Sequence, residues 1–489
     1  MSHSIAIVGS GICGMCAAIS LSTDGHRVTV YERDGAPPEG SADAAFFDWQ
    51  RNGAAQFRHP HAFLGLMCNL IQDNYPELMA QFLEAGARRV DFHEMLPPAL
   101  QSNYRPEPGD DRLWVLMCRR ATMETVMRRY LATLPGVGLV NDCRVTGMLS
   151  REENGVLNVR GLRVARGSGT AEQAIAADIV VDASGRTSKF PGWFKALGRG
   201  VVEEKADAEI VYYTKHYRLQ PGETEPPRGE RPAAGDLGYL KFGVFPGDNG
   251  HFAVILCVPL DEHELKRAVR NSATFDRICL SIPGIAPWLA DAKSVSTTEP
   301  FGIGDIQSVW RHFVADGVPL ATNFFTVGDA SVRTNPLYGR GCSTGVMHAN
   351  ILAEVLRRQK DPVSRAIDFH DKTEEVLRPI HAASLREDKS GIVRAKSVKV
   401  GQIVDKPASL KKWFGHAFRD AVGAAARQEL HVIRGMMRTF HLLEPPGDFL
   451  KDTSIRRTIF RYMLRGRKRN VAQRLQPGPD RAAMHELIS

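Results

Sequence analysis

The sequence predicts an α/β protein: a parallel-sheet domain, an inserted β-sheet domain and a helical C-terminal region. Three observations carry this. "SIAIVG" is a short β-branched apolar run, "GSGICG" follows it, "MCAAISLSTDG" continues at helical spacing to Gly25, and "RVTVYE" is a second strand ending in Glu32. Two later segments, "ADIVVDASGRTSKF" (177–190) and "FFTVGDASVRTNPLYGRGCSTGVMHA" (324–349), each read as a buried strand running into a turn. Between them, "AEIVYYTKHYRL", "GYLKFGVFP" and "HFAVILCVPL" read as strands of a different sheet.

The first unit is of Rossmann type. Gly9 permits the tight turn, Gly11 lets the backbone approach a pyrophosphate, and Gly14 lets helix and strand pack closely. The anion sits on the helix N-terminus, where N–H groups and the dipole favour it. Glu32 stands where a carboxylate accepts hydrogen bonds from a ribose diol and disfavours a 2′-phosphate. Cys13 and Cys16 spell C-x-x-C over the same residues. A thioredoxin-like pair needs exposure at a helix start, so the strand–loop–helix–strand context favours the nucleotide reading.

A chain of 489 residues accommodates two or three domains. The ranges expected are 1–204 and 301–360 for the nucleotide-binding domain, 205–300 for the insertion, and 361–489 for the helical region. A helix is expected from 62 to 83, another over 120–133 and a third within "DEHELKRAVRNSATFDRICLSI"; the helical region should break near Gly391, Pro407 and "EPPGD". No apolar run approaches the roughly 18 residues of a membrane span, and "SIAIVG" is too short for a signal h-region. Eight cysteines show no framework spacing, which suits a cytoplasmic protein. The net charge of +8 is matched by 451–474, where nine Lys and Arg face one Asp. This segment reads as a solvated helix, or as a patch for an anionic membrane surface that would place the protein at the inner face of the membrane. Ile455, Ile459 and Met463 share one helical face, as in an interfacial helix or a core-docked one. No reading module accompanies the charge, which argues against nucleic acid.

The trio of segments resembles the FAD-dependent monooxygenases of the para-hydroxybenzoate hydroxylase type, over about residues 1–360. "QFRHPHAFLG", "LEAGARRV", "CRRATMETVMRR", "VVDASGRTSKFPGW" and "VGDASVRTNPLYGRG" are similar to bacterial polyene (polyether-pathway) epoxidases. The resemblance implies a Rossmann-type FAD-binding domain. It implies FAD held by Gly9, Gly11, Gly14, Glu32, Arg33, Arg120, Val145, Asp182, Gly328, Asp329, Pro336, Gly339, Gly341 and Cys342. Arg58, His61 and Arg340 would face the flavin or substrate as catalytic residues. Asp329 would hold the ribityl chain, and the turn before Gly341 would stabilise charge on the reduced ring. "DASG" replaces a "GADG"-like sequence, which weakens the NADPH contact ascribed to that segment.

The activity so implied inserts one atom of O2, through a C4a-hydroperoxyflavin, into an apolar small molecule. The sequence shows no base of the kind a phenol hydroxylase benefits from, which favours an alkene. There is no second G-x-G-x-x-G, so NAD(P)H reduces the FAD directly or through a partner flavin reductase. A geranylgeranyl-reductase-like enzyme shares the FAD fingerprints, and a non-catalytic, membrane-docking flavoprotein is a third reading. His59 and His61 could ligate a metal, but no further ligands accompany them, so no metal site is assigned; facing the flavin or packing are the other roles. Arg340 could otherwise pair a surface carboxylate, Tyr338 could be a wall or a proton donor, and Asp182 could cap its turn. Tyr212, Tyr213, Phe242, Phe245 and Phe252 could line a pocket or fill a core.

Overall fold

Five parallel strands form the sheet from which the glycine-rich loop emerges. In the computed structural model, which describes residues 2–153, 155–167, 171–401, 409–472 and 477–489, they are β1 (Ser4–Val8), β2 (Arg27–Tyr31), β3 (Val137–Val140), β4 (Ile179–Asp182) and β5 (Phe324–Thr326). Their order is β5-β4-β1-β2-β3, every neighbouring pair parallel. The chain leaves β1 to one side and later returns to the other, and the crevice at the carboxyl ends of such strands receives ligands. Alternate residues serve two cores. Ile5 and Ile7 pack with α1 (Ile12–Thr23), α2 (Arg120–Thr133) and α3 (Gly341–Arg358) through Met15, Met123 and Leu352. Ala6 and Val8 pack on the other face against Leu157, Val159 and Phe190.

The expected helix over 62–83 is two helices, Gly65–Asn74 and Pro76–Glu84, preceded by a short strand at Ala62–Phe63. Pro76 forces the break: it bars Tyr75 from helical geometry (φ −140°, ψ 59°) and starts the second helix at its first turn.

The inserted sheet is antiparallel and six-stranded, with its strands between Ile210 and Ile303. Its longest strand, Ile210–Leu219, divides its aromatics by period two. Tyr213 and Tyr217 join Phe242, Phe252 and Phe275 in a core, whereas Tyr212 packs on the opposite side with Cys257 and Ile306. The single helix expected beside this sheet is two, His263–Ala268 and Ser272–Ser281, because Asn271 caps the second by accepting from Thr274 N.

Helix α4 (Pro362–Lys399) runs unbroken through Gly391, against expectation. A Cβ there would lie 3.0 Å from Lys241 Nζ, so Gly391 permits close approach to the inserted sheet. Pro407 lies outside the described residues. Helices α5 (Leu410–Ala426), α6 (Leu430–Phe440) and α7 (Thr453–Leu464) follow, with "EPPGD" in the turn before α7. The interfacial reading of Ile455, Ile459 and Met463 is corrected here. Ile455, Ile459 and Tyr462 are buried against Ala421, Ala424, Ala425 and Val432, with Met463 packed beside them. The alanines of α5 let the helices approach closely enough to cover that face. Gln473 and Arg474 lie outside the described residues.

Ile459→Ala is therefore expected to destabilise the C-terminal helices by about 2–5 kcal/mol, while Phe460→Ala, at an exposed position, stays within about 0.5 kcal/mol. Guanidinium unfolding midpoints compare them; equal effects would contradict this packing.

Candidate active site

The site begins at the loop between β1 and α1. Gly9 has φ +99°, and a Cβ on it would lie 2.7 Å from the Ala183 carbonyl oxygen. A Cβ on Gly14 would lie 2.0 Å from the Gly9 carbonyl oxygen, so only glycine closes this helix onto the strand ends. Gly11 differs: its Cβ would meet nothing nearer than the Arg120 guanidinium at 3.7 Å. Gly11 is also the N-cap of α1 and supplies no side-chain acceptor. The first N–H groups of α1 therefore face open space beside a cation, the arrangement that suits an anionic group.

Behind the loop lies a buried charge network. Arg51 Nη1 lies 2.9 Å from Glu32 and 2.8 Å from Asp34, and Arg51 Nε lies 2.9 Å from Glu124. Its Nη2 donates to the Ser10 carbonyl at 3.1 Å. Glu124 in turn holds Arg120 at 2.6 Å, and Arg128 donates to Ser10 Oγ. All six charged residues are buried, three cations against three anions. Burial alone would raise the Glu124 carboxyl, yet Arg120 and Arg51 hold it down at about 2. Glu32 is lowered too: burial opposes, while Arg51 and N–H donors from Asp34 and Ser10 prevail. Glu32 is thus a fixed, ionised acceptor.

From this end a cavity of about 440 Å³ extends along the strand ends. Gly9, Gly11, Glu32, Arg33, Arg120 and Val145 line its first part, and Asp329, Pro336, Gly339, Gly341 and Cys342 line another. No group among the described residues donates a hydrogen bond to Asp329. Burial raises its carboxyl, with Arg333, Arg120 and Arg186 opposing. A carboxylate without a protein donor, on the wall of a cavity, is an acceptor awaiting a ligand's hydroxyl. Helix α3 begins at Gly341, where a Cβ would meet nothing within 4 Å.

Helix α4 fixes the turn before Gly341. Its Asp388 accepts from Asn335 Nδ2 at 2.7 Å and from the Tyr338 hydroxyl at 2.9 Å. Asn335 Oδ1 accepts from the Tyr212 hydroxyl, tying the turn to the inserted sheet. Apolar residues of that sheet and the turn, Phe245, Ile255, Ile303 and Leu337, complete the wall with Tyr212. His59 and His61 line it as well. His61 Nδ1 lies 2.8 Å from the His59 carbonyl oxygen. A carbonyl only accepts, so Nδ1 carries the proton and Nε2 presents a lone pair. Burial, aided by Arg120, pushes this ring down to about 3, and burial alone pushes His59 to about 4. Both imidazoles are neutral near pH 7.

Several expected positions are corrected. Arg58 is outside the lining: its guanidinium donates to the carbonyls of Phe46 and Phe47. Arg340 is outside it too, donating to Ser384 Oγ and pairing with Glu387, because α4 presents those acceptors. Tyr338 turns to Asp388 rather than forming a cavity wall. Asp182 caps its turn, accepting from Ser184 N, Ser184 Oγ and Ser188 Oγ. Gly14 and Gly328 act through packing: a Cβ on Gly328 would lie 2.6 Å from Cys13 Sγ. Cys13 also packs on Gly345 of α3, and burial raises both its thiol and that of Cys16. The described residues contain no group of three or more possible metal ligands. Arg51, Glu124, Asp34 and Arg128 were not singled out by the sequence; Arg120 and Glu124 at i, i+4 were the one local signal.

Arg51→Met should destabilise the fold by about 3–5 kcal/mol by leaving buried carboxylates unpaired. Because Glu124 is held below its unfolded value of 4.5, its contribution is complete above about pH 4.5 and is lost as pH falls toward 2. Acid unfolding followed by circular dichroism should therefore begin at higher pH in Arg51→Met; coincident acid transitions would remove Arg51 from this role.

Residues 7–79 match the NAD(P)-binding Rossmann-like domain. Protein Rv3254 of Mycobacterium tuberculosis is 26% identical over 369 residues, spanning 72% of each chain. The crystal structure of PqsL, a probable FAD-dependent monooxygenase from Pseudomonas aeruginosa, matches with a TM-score of 0.58 at 16% identity, over 81% of this chain and 98% of that one. A flavoprotein/dehydrogenase from Cytophaga hutchinsonii matches with a TM-score of 0.63 at 12% identity, over 95% and 99%. The chain thus shares its fold with that probable FAD-dependent monooxygenase and with that flavoprotein/dehydrogenase.

Proposed function

We propose that this chain binds FAD and acts as a monooxygenase on an apolar small molecule. One observation carries the reading: a single cavity joins the Gly9–Gly14 loop, the unpaired Asp329 carboxylate and the apolar face of the inserted sheet. A dinucleotide joined to a planar ring fits this sequence of surfaces. Gly9, Gly11, the start of α1 and Arg120 would hold the pyrophosphate. Glu32 would take the adenosine ribose, with Arg33 and Val145 beside it, and Asp329 the ribityl hydroxyls. The start of α3 at Gly341 would meet the ring, with Pro336, Gly339 and Cys342 alongside. Bound FAD supplies electron storage and oxygen activation, fed by NAD(P)H directly or through a partner reductase.

The chain's own task is to orient the substrate and exclude water. Tyr212, Phe245, Ile255, Ile303 and Leu337 give an apolar wall, suited to an alkene and hence to epoxidation. A second reading, hydroxylation of a phenol, is supported by His61. With Nδ1 turned to the His59 carbonyl, its Nε2 lone pair would be an acceptor for a ring hydroxyl, a base that the sequence analysis did not assign to this residue. Reduction of an isoprenoid would use the same FAD residues without consuming oxygen.

Asp329→Ala should weaken FAD binding by about 1.5–3 kcal/mol with the fold retained; unchanged affinity would remove Asp329 from the ribityl site. Anaerobically reduced protein mixed with oxygen in a stopped flow should pass through an absorbing species distinct from oxidised and reduced flavin. Reoxidation without any such species, or no reaction with oxygen, would favour the reductase.

A further inference from the structure

The surface of the C-terminal helices is unusual for a water-facing one. Along α5, Leu410, Phe414, Ala417, Ala421 and Ala424 form one stripe at i, i+4, i+7, i+11 and i+14. Ala421, Ala424 and Ala425 are covered by Ile455, Ile459 and Tyr462 of α7. Toward the start of α5 the residues become large and lose their cover. Leu410, Trp413, Phe414 and Phe418 are exposed, as are Phe460 and Leu464 on the outer side of α7, at 38–76%. Trp413 and Phe414 touch edge to face, their ring centroids 5.2 Å apart. Single exposed apolar residues are ordinary, but Leu410, Trp413, Phe414 and Phe418 stand at i, i+3, i+4 and i+8 on one helix, and such a run of large ones marks a contact surface.

The charge around these residues selects the partner. Residues 409–472 hold fourteen Lys and Arg against five Asp and Glu. Lys411, Lys412, Arg419 and Arg457 are exposed, and among the described residues no carboxylate pairs with them. A second copy would bring two positive surfaces together, so self-association is disfavoured electrostatically. A bilayer with anionic headgroups satisfies both features. Its acyl region takes the Leu, Trp and Phe side chains, its headgroups take the cations, and tryptophan favours the boundary between them. No helix among the described residues is long and apolar enough to cross a membrane.

We propose that the first turns of α5 dock this protein reversibly on an anionic lipid surface. The face differs from the Ile455–Ile459 stripe, which belongs to the interior. The inference is independent of what fills the cavity.

The full-length protein is sedimented with phosphatidylcholine vesicles, with and without phosphatidylglycerol, at low and high salt. Binding is expected only to the anionic vesicles and should weaken with salt. Trp413→Ser with Phe414→Ser, and separately Lys411→Glu with Lys412→Glu, should each lower the partition coefficient by about tenfold or more, with circular dichroism and the thermal unfolding midpoint unchanged. Absence of wild-type binding, equal binding to neutral vesicles, or variants that bind like wild type would overturn the proposal. So would a wild-type dimer in analytical ultracentrifugation that Trp413→Ser with Phe414→Ser abolishes, since a second copy would then occupy the face.

Discussion

Arg51 is the constraint on which the nucleotide end of the cavity depends. It lies on a loop, yet it joins Glu32 at the end of β2, Asp34 just beyond, Glu124 on α2 and the Ser10 carbonyl of the glycine-rich loop. Burying three carboxylates costs several kcal/mol each unless cations and N–H donors compensate. Arg51 is in contact with all three and, through Glu124, also fixes the direction of Arg120. The carboxylate and the cation that face the cavity are therefore set by one network rather than by independent rotamers. Such fixed charges need little reorganisation when a ligand arrives.

The opposite end is organised by a different element. Helix α4 holds the turn between β5 and α3 through Asp388, Ser384 and Glu387, which take Asn335, Tyr338 and Arg340. Asn335 also meets Tyr212 of the inserted sheet. Helix α4 and the inserted sheet thus converge on one turn, and the open N-terminus of α3 is presented from it. The C-terminal region is part of the site's scaffold, although none of its described residues lines the cavity.

What the sequence reveals follows from how local each interaction is. The β1–loop–α1–β2 unit, Gly14's packing role and the existence of β4 and β5 with a turn after each were legible because their determinants lie within one strand–turn–helix segment. Arg51 was not, since its partners stand 17 and 73 residues away and nothing nearby marks it. Arg340 and Tyr338 were read toward the flavin because the glycine-rich turn carries a motif; the acceptors that claim them sit on α4, which carries none. The stripe of Ile455, Ile459 and Met463 fitted a membrane or a core equally, as amphipathicity does not identify the cover. Small residues on α5 decided for the core. His61 became informative only with the His59 carbonyl in place, because its tautomer depends on that contact.

The proposed function requires one cavity to grip both halves of a dinucleotide, the adenosine side through Glu32 and the Arg51 network and the flavin side through Asp329 and the start of α3. Calorimetric titration of the flavin-stripped, full-length protein with FAD and with FMN tests it most directly. One FAD per chain is expected to bind, with FMN weaker by about a hundredfold or more, since it forfeits the adenosine contacts and half the pyrophosphate. FMN binding as tightly as FAD, or no binding of either, would contradict it.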